Sequence, residues 1–302
     1  MTISNQLLEL IRAIRPENDK ADPLEVLARV RLSATTEPGN PAIATAIANR
    51  GILEAVPSLT SADLHDERTT TVAMRLAAAH GVKALIPGDD CYPTGLTDLD
   101  CPPVMLWFRG REEAVAALSH SIAVTGNRAV TGFGERITQE LSTGATRRGY
   151  TIVSGGAYGV DGAAHRAALC GDGTTVAILA CGLNRFFPAG HNALLNQIAE
   201  SGAILSEVPC GATPTRWRLQ QRNRLIAASS QLTLITEAGY RSGALSAATA
   251  AAKTGRPVAT VIGPVLNAAN EGCGRLVSDG IATAVGDIDG IVALIEQTPT
   301  GT

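Results

Sequence analysis

Apolar positions in the first eighty residues recur every three or four places. Leu7, Leu8, Ile11 and Ile14 share one face, and Leu24, Leu27 and Val30 share another. That spacing is the period of an amphipathic helix, and the turn-forming EPGNP at residues 37–41 punctuates it. A small all-helical domain is expected over residues 1–80. The pattern then changes: residues 81–115 carry prolines at 87, 93, 102 and 103 and a short apolar strand-like piece, VMLWF, and read as a connector that packs on the domain C-terminal to it. From Ser121 onward β-branched apolar runs appear at SIAVTG, YTIVSG, TTVAILAC, GAILSE, QLTLIT and PVATVIG, most of them separated by segments of helical pattern such as FGERITQELSTGATRRG. Strands alternating with helices predict a parallel sheet covered on both faces. The expected fold class is therefore α/β, an extended Rossmann-like parallel-sheet domain over residues 116–297 preceded by a small helical domain.

In such sheets ligands bind outside the carboxyl ends of the strands, at a switch in strand order. Two glycine-rich turns are expected there. One is TGNRAVTGFG, beginning at Thr125 and containing Gly126; the other is SGGAYGVDGAAH, with Ser154, Gly155, Gly156, Tyr158 and Gly159. Glycines at a strand-to-helix turn let backbone N–H groups approach an anion, and the helix N-terminus behind them carries partial positive charge. The plainer reading is that glycine merely permits a tight turn. Two neighbouring turns favour anion binding.

Composition narrows the choice of anion. The chain has 302 residues, 45% hydrophobic and 18% charged, with a net charge of −3. This is an ordinary globular composition, and no apolar run approaches the roughly 20 residues that span a bilayer; no membrane association and a cytoplasmic location are expected. Six scattered cysteines with no CxxC suggest neither a zinc site nor a disulfide framework, so no metal is expected. A dinucleotide site wants GxGxxG and an acid at the next strand end, whereas here the spacing is GGxxG and the next strand ends in Ala180-Cys181-Gly182. GxxxxGK[ST], GxSxG and HExxH are all absent. No cofactor and no catalytic activity are expected.

Asp161 and His165, four apart, would share a helix face. They can form an acid–base pair, or Asp161 can cap the helix while His165 bonds locally; the absence of a third group favours the second. Glu237, at a strand end, is a turn or cap residue or a contact to a ribose or base. Only three lysines occur, Lys20, Lys83 and Lys253, so cationic chemistry falls to arginine. Its richest stretch is TPTRWRLQQRNRLIAASSQL, where Arg216, Arg218, Arg222 and Arg224 surround Trp217 without an acid. Arginines interleaved with an aromatic suit a strand of phosphates carrying stackable bases, although a solvated helix face has the same composition.

Taken in order, the motifs TGNRAVTGFG, YTIVSGGAYGVDGAAHRAAL, TVAILACGLNRFFPAGHNALL, ILSEVPCGATPTRWRLQQRNRLIAASSQLTLITEAGYRSGALSAA and PVATVIGPVLNAANEGCGRLVSDG resemble the DNA-processing protein A (DprA/Smf) family over roughly residues 81–295. The resemblance implies a Rossmann-like domain that binds single-stranded DNA, forms a homodimer and loads a RecA-type recombinase in transformation or recombination. It further implies that Ser154, Gly155, Gly156 and Gly159, with Arg128 and the run Arg222, Asn223 and Arg224, hold DNA phosphates, while Asp161 and His165 shape the cradle. Tyr158 stands where the family commonly has arginine, which replaces a phosphate contact by stacking. GNR replaces the frequent GSR, and the chain leaves no room for the winged-helix module found in many members. Two other readings use the same pocket: a nucleoside-monophosphate hydrolase, whose PGGxGTxxE signature is missing here, and a nucleotide sensor.

Overall fold

A computed structural model of the chain describes residues 3–16, 20–60, 64–264 and 267–298. Five helices come first: α1 (Asn5–Ile14), α2 (Pro23–Thr35), α3 (Pro41–Arg50), α4 (Ile52–Leu59) and α5 (Leu64–Ala79). Their starts are written in the sequence. Asp22 and Asn40 accept from the amides of Leu24 and Ala42, and each is followed by a proline whose fixed φ suits the first helical position. Ala28, Leu32, Ile43, Ile52 and Val56 make a small core of their own.

The rest alternates as the periodicity predicts. In chain order come β1 (Lys83–Leu85), β2 (Leu106–Gly110), α6 (Glu112–Ala116), β3 (Ser121–Thr125), α7 (Gly132–Arg147), β4 (Thr151–Ser154), α8 (Val160–Cys170), β5 (Thr175–Leu179) and α9 (Asn192–Ser201). Then follow β6 (Ala203–Ser206), α10 (Arg216–Ala228), β7 (Leu232–Ile235), α11 (Leu245–Lys253), β8 (Val258–Thr260), α12 (Glu271–Ser278), β9 (Thr283–Ala284) and α13 (Ile288–Gln297). They form one nine-stranded sheet, ordered β1-β2-β6-β5-β4-β3-β7-β8-β9. The strands from β6 through β9 are parallel, and β1 and β2 add antiparallel to the β6 edge.

Side chains alternate across the sheet as the pleat requires. Ile122, Val124 and Ile152 face a core with Leu141 and Ala164 of α7 and α8, whereas Ala123, Val153 and Ile178 face Leu225 and Ile226 of α10. The segment expected as a connector is woven into the sheet. Trp107 of β2, fully buried, lies in a core shared by Ile11 and Ile14 of α1, Val26 of α2, Met74 of α5 and Leu195 of α9. The N-terminal helices therefore have one core to themselves and a second in common with the sheet.

The topology fixes where a ligand can sit. From β3 the chain steps to β4, β5 and β6 on one side, then crosses by α10 to β7 on the other side. The order reverses between β3 and β7, and the carboxyl ends of these two strands flank the crevice.

Candidate nucleic-acid interface

The loops at the carboxyl ends of the parallel strands are held by buried polar groups. Glu237, just after β7, has no exposed surface. Its carboxylate accepts from Asn127 Nδ2 at 3.0 Å, from the Thr131 amide at 3.1 Å and from the Thr131 hydroxyl. A carboxylate fits because it only accepts and all three facing groups donate. Asn127 extends the tie, donating to the carbonyl of Ala269 and accepting from the amide of Gly239. The loops after β3, β7 and β8 are thus fastened to one another. Gly126 packs so closely that a Cβ there would lie 2.5 Å from the Glu237 carbonyl.

Asp161 does the same for the loop after β4. Buried in the first turn of α8, it accepts from the Thr125 hydroxyl at 2.8 Å and from the Ala157 amide at 3.2 Å. Gly159 starts this helix at φ 75°, a left-handed conformation that favours glycine. A Cβ on it would meet the Asn127 carbonyl at 2.2 Å. No side chain caps α8, and the amides of Asp161 and Gly162 have no acceptor among the described residues. A first turn with open amides suits an anion.

The other expected site residues divide. Ser154 is buried, and its hydroxyl donates to the Val124 carbonyl at 2.6 Å, tying β4 to β3 rather than facing outward. Gly155 and Gly156 line the turn, and Gly155 makes room for a guanidinium: a Cβ there would lie 2.0 Å from Arg222 Nη1. Arg222 is buried under the turn and donates from Nη1 to the carbonyls of Gly155 at 2.6 Å and Ile178 at 2.8 Å. Burial lowers its pKa from the ordinary guanidinium value, an effect that nearby Asp161 opposes. Asn223 accepts from Arg222 Nε and donates to the Gly243 carbonyl. Arg224 is engaged by Glu207, at 2.6 and 2.7 Å, and by the Cys101 carbonyl at 2.8 Å. Arg222 and Arg224 therefore brace the protein, and their fixed partners leave neither as a free cation. Arg218 and Trp217 are similarly engaged by the helical region: Arg218 pairs with Glu37, and the indole N–H reaches the Pro38 carbonyl at 3.2 Å.

His165 lies away from this edge. It is fully buried, and its Nδ1 is 2.7 Å from the hydroxyl of Thr175, the first residue of β5. That hydroxyl donates to the Ile152 carbonyl, so the imidazole must be the donor to it. Burial pushes the His165 pKa down to about 3, with the positive surroundings of His191, Arg166 and Arg222 adding to it. It is a neutral spacer between α8 and the sheet, in keeping with the local-bonding alternative. Buried Cys181 and Cys273 carry raised thiol pKa values, again chiefly from burial, and are poor nucleophiles.

What remains on the outside is cationic and aromatic. Arg128 is exposed, as are Arg166, Arg185, Arg216 and Arg241, and none of these five guanidinium groups has a partner among the described residues. Arg166 stands beside His165 in the second glycine-rich stretch, whereas Arg185 is isolated in its segment. All the exposed large aromatic side chains are here too: Phe133, Tyr158, Phe187, Trp217 and Tyr240. The acids of the loops after β3, β4, β5, β6 and β7 are Glu207 and Glu237, both buried. A chain of net charge −3 thus presents a locally positive edge. Strand order sets these groups in a row, from Arg216 and Trp217 after β6 through Arg185 and Phe187 after β5, Tyr158 after β4 and Arg128 after β3 to Tyr240 and Arg241 after β7.

Residues 83–296 match the family model described as DNA recombination-mediator protein A. The chain is 41% identical over 233 residues to a putative DNA processing protein DprA of Mycobacterium tuberculosis, covering 74% of this chain and 60% of the relative. It thus spans less than two thirds of that relative's length. It is 34% identical to DNA processing protein DprA of Streptococcus pneumoniae over 64% of this chain and 67% of the relative. The X-ray structure of the Streptococcus pneumoniae protein superimposes with a TM-score of 0.74 at 26% identity, covering 89% of this chain and 97% of that one. DNA processing protein A from Helicobacter pylori, whose structure concerns its single-stranded DNA binding mode, superimposes with a TM-score of 0.64 at 28% identity, covering 72% and 96%. Family model, relatives and fold agree, and the chain belongs to the DNA recombination-mediator protein A family.

Proposed function

We propose that this chain binds single-stranded DNA along the carboxyl edge of its sheet and acts as a recombination mediator. In that role it hands the strand to a RecA-type recombinase during DNA uptake or recombination, as a cytoplasmic homodimer and without hydrolysing nucleotide. One observation carries the reading. Four exposed aromatics and four unpartnered arginines lie on one edge in strand order, with the acids of those loops buried. A row of cations and π-faces suits a flexible strand, whose phosphates and unstacked bases both need partners, better than a duplex with its bases turned inward. The single-stranded DNA binding named for the Helicobacter pylori relative supports the same choice.

The test is a fluorescence-anisotropy titration with single- and double-stranded oligonucleotides beside a panel of mononucleotides. Single strands are expected to bind more tightly than duplexes, and affinity should fall steeply with salt as counterions compete for the phosphates. Equal affinity for the duplex, salt-insensitive binding, or saturation by a mononucleotide alone would overturn it. Turnover of ATP or a nucleoside monophosphate by the purified protein would overturn the non-enzymatic part.

A further inference from the structure

His191, in the loop between β5 and α9, belongs to neither of the two glycine-rich turns, yet it leans on the cradle directly. It is 6% exposed, and its Nδ1 lies 3.0 Å from the carbonyl of Gly156. A carbonyl only accepts, so Nδ1 carries the proton. The other nitrogen, Nε2, has no partner among the described residues. Gly162, in the first turn of α8, shows where Nε2 sits. A Cβ on that glycine would lie 2.6 Å from His191 Cε1, 3.2 Å from Nε2 and 2.9 Å from Arg166 Nη2. An imidazole nitrogen and an unpaired guanidinium therefore converge over the open first turn of α8, on ground a side chain would fill.

We propose that Arg166, His191 and the first turn of α8 hold one phosphate of the bound strand, and that binding takes up one proton at His191 Nε2. The proposal rests on the single-stranded DNA reading of the edge. The proton comes from solvent: neutral imidazole accepts it at Nε2, and the new N–H donates to a phosphate oxygen while Nδ1–H stays on Gly156. Arg166 on α8 stands beside the ring over Gly162, buried Asp161 is the residue before that glycine, and Arg222 on α10 lies under Gly155. Tyr158 meets the ring edge-on at 4.7 Å. His165 is neutral through the physiological range. A phosphate set between Arg166 and Nε2 tips the balance toward imidazolium.

The probe is a fluorescent oligothymidylate, whose bases take up no proton in the range used. Its affinity is measured from pH 5.5 to 8 at fixed ionic strength, with calorimetry in two buffers of different ionisation enthalpy. Log affinity should fall with rising pH at a slope approaching about −1 across the imidazole range, and the two buffers should report uptake of close to one proton. His191→Asn keeps a donor for the Gly156 carbonyl and has no second nitrogen to titrate; it should bind with a flat pH profile. Arg166→Ala should weaken binding and reduce the slope of log affinity against log salt by about 0.7. A flat profile in the wild type, or a slope that survives His191→Asn, overturns the proposal and leaves the DNA reading standing. Failure of the wild type to bind oligothymidylate at any pH overturns both.

Discussion

The arginines that tie one element to another and those along the carboxyl edge carry the same charge and meet different company. Of the first kind, Arg15 is paired with Asp89, Arg218 with Glu37, Arg224 with Glu207 and Arg256 with Asp98. Along the edge Arg128, Arg166, Arg185, Arg216 and Arg241 have none among the described residues. A desolvated guanidinium with a carboxylate partner is cement, and an exposed one without a partner is available to an anion from outside. What separates the two sets is the position of the acids, so a count of cations in the sequence says little about which of them are open to an anion.

The comparison is most severely tested at Arg224. Arg224→Ala leaves Glu207 buried without its counter-charge, which should destabilise the fold by about 3–5 kcal/mol in denaturant unfolding at pH 8. Burial holds the Glu207 carboxyl above the ordinary carboxylate range even with Arg224 opposing it. Without Arg224 the folded chain binds that proton more strongly than the unfolded chain does, so the deficit should shrink as pH falls toward 5 and be complete above the raised range. A loss below about 1 kcal/mol would mean that Arg224 belongs with the free set after all.

Arg222→Met comes next. It deprives the buried carbonyls of Gly155 and Ile178 of their donor, which should cost about 2–4 kcal/mol at the usual toll for unsatisfied acceptors. Single-strand binding should fall with it, because the turn over α8 loses its support. Glu237→Ala should cost about 2 kcal/mol and weaken binding, since Asn127 and the Thr131 amide lose an acceptor. Glu237→Gln, which keeps an oxygen, should recover part of both. Smallest in stability and sharpest in function is Arg128→Ala. The melt should stay within about 0.5 kcal/mol of wild type, while the log affinity against log salt plot flattens by about 0.7. An altered melt with an unchanged slope would assign Arg128 to the cement.

Six of the seven parallel strands were legible because buried parallel strands are continuous β-branched runs, as in TVAIL and LTLI. Strand β1 was hidden by its length and by the prolines around it, β2 showed as the strand-like VMLWF without its place in the sheet, and β9 is two exposed residues with no pattern to show. Within the site, the glycine turns and the place of Asp161 could be read from local spacing. The fates of Arg218 and Arg224 could not, because Glu37 and Glu207 stand 181 and 17 residues away in the chain and meet them only through tertiary folding. His191 had one faint signal, a polar ring at the end of a strand-to-helix loop, FFPAGH, on the ligand side of the sheet.

The antiparallel pair at the sheet margin governs how this protein can be cut. Residues 107 to 110 of β2 cover the row of backbone groups along β6, and Trp107 plugs the core shared with α1, α2 and α5. Its indole also donates to Ser33, whose hydroxyl reaches back to the Glu207 carbonyl. A chain started at Glu112 would keep the carboxyl edge on paper but bare β6 as a template for strand addition. Such a fragment is expected to precipitate, whereas limited proteolysis of the whole chain should spare the stretch between α5 and α6. The helices at the front are a lid on the sheet's open flank, and the strand edge can be studied only with that flank closed.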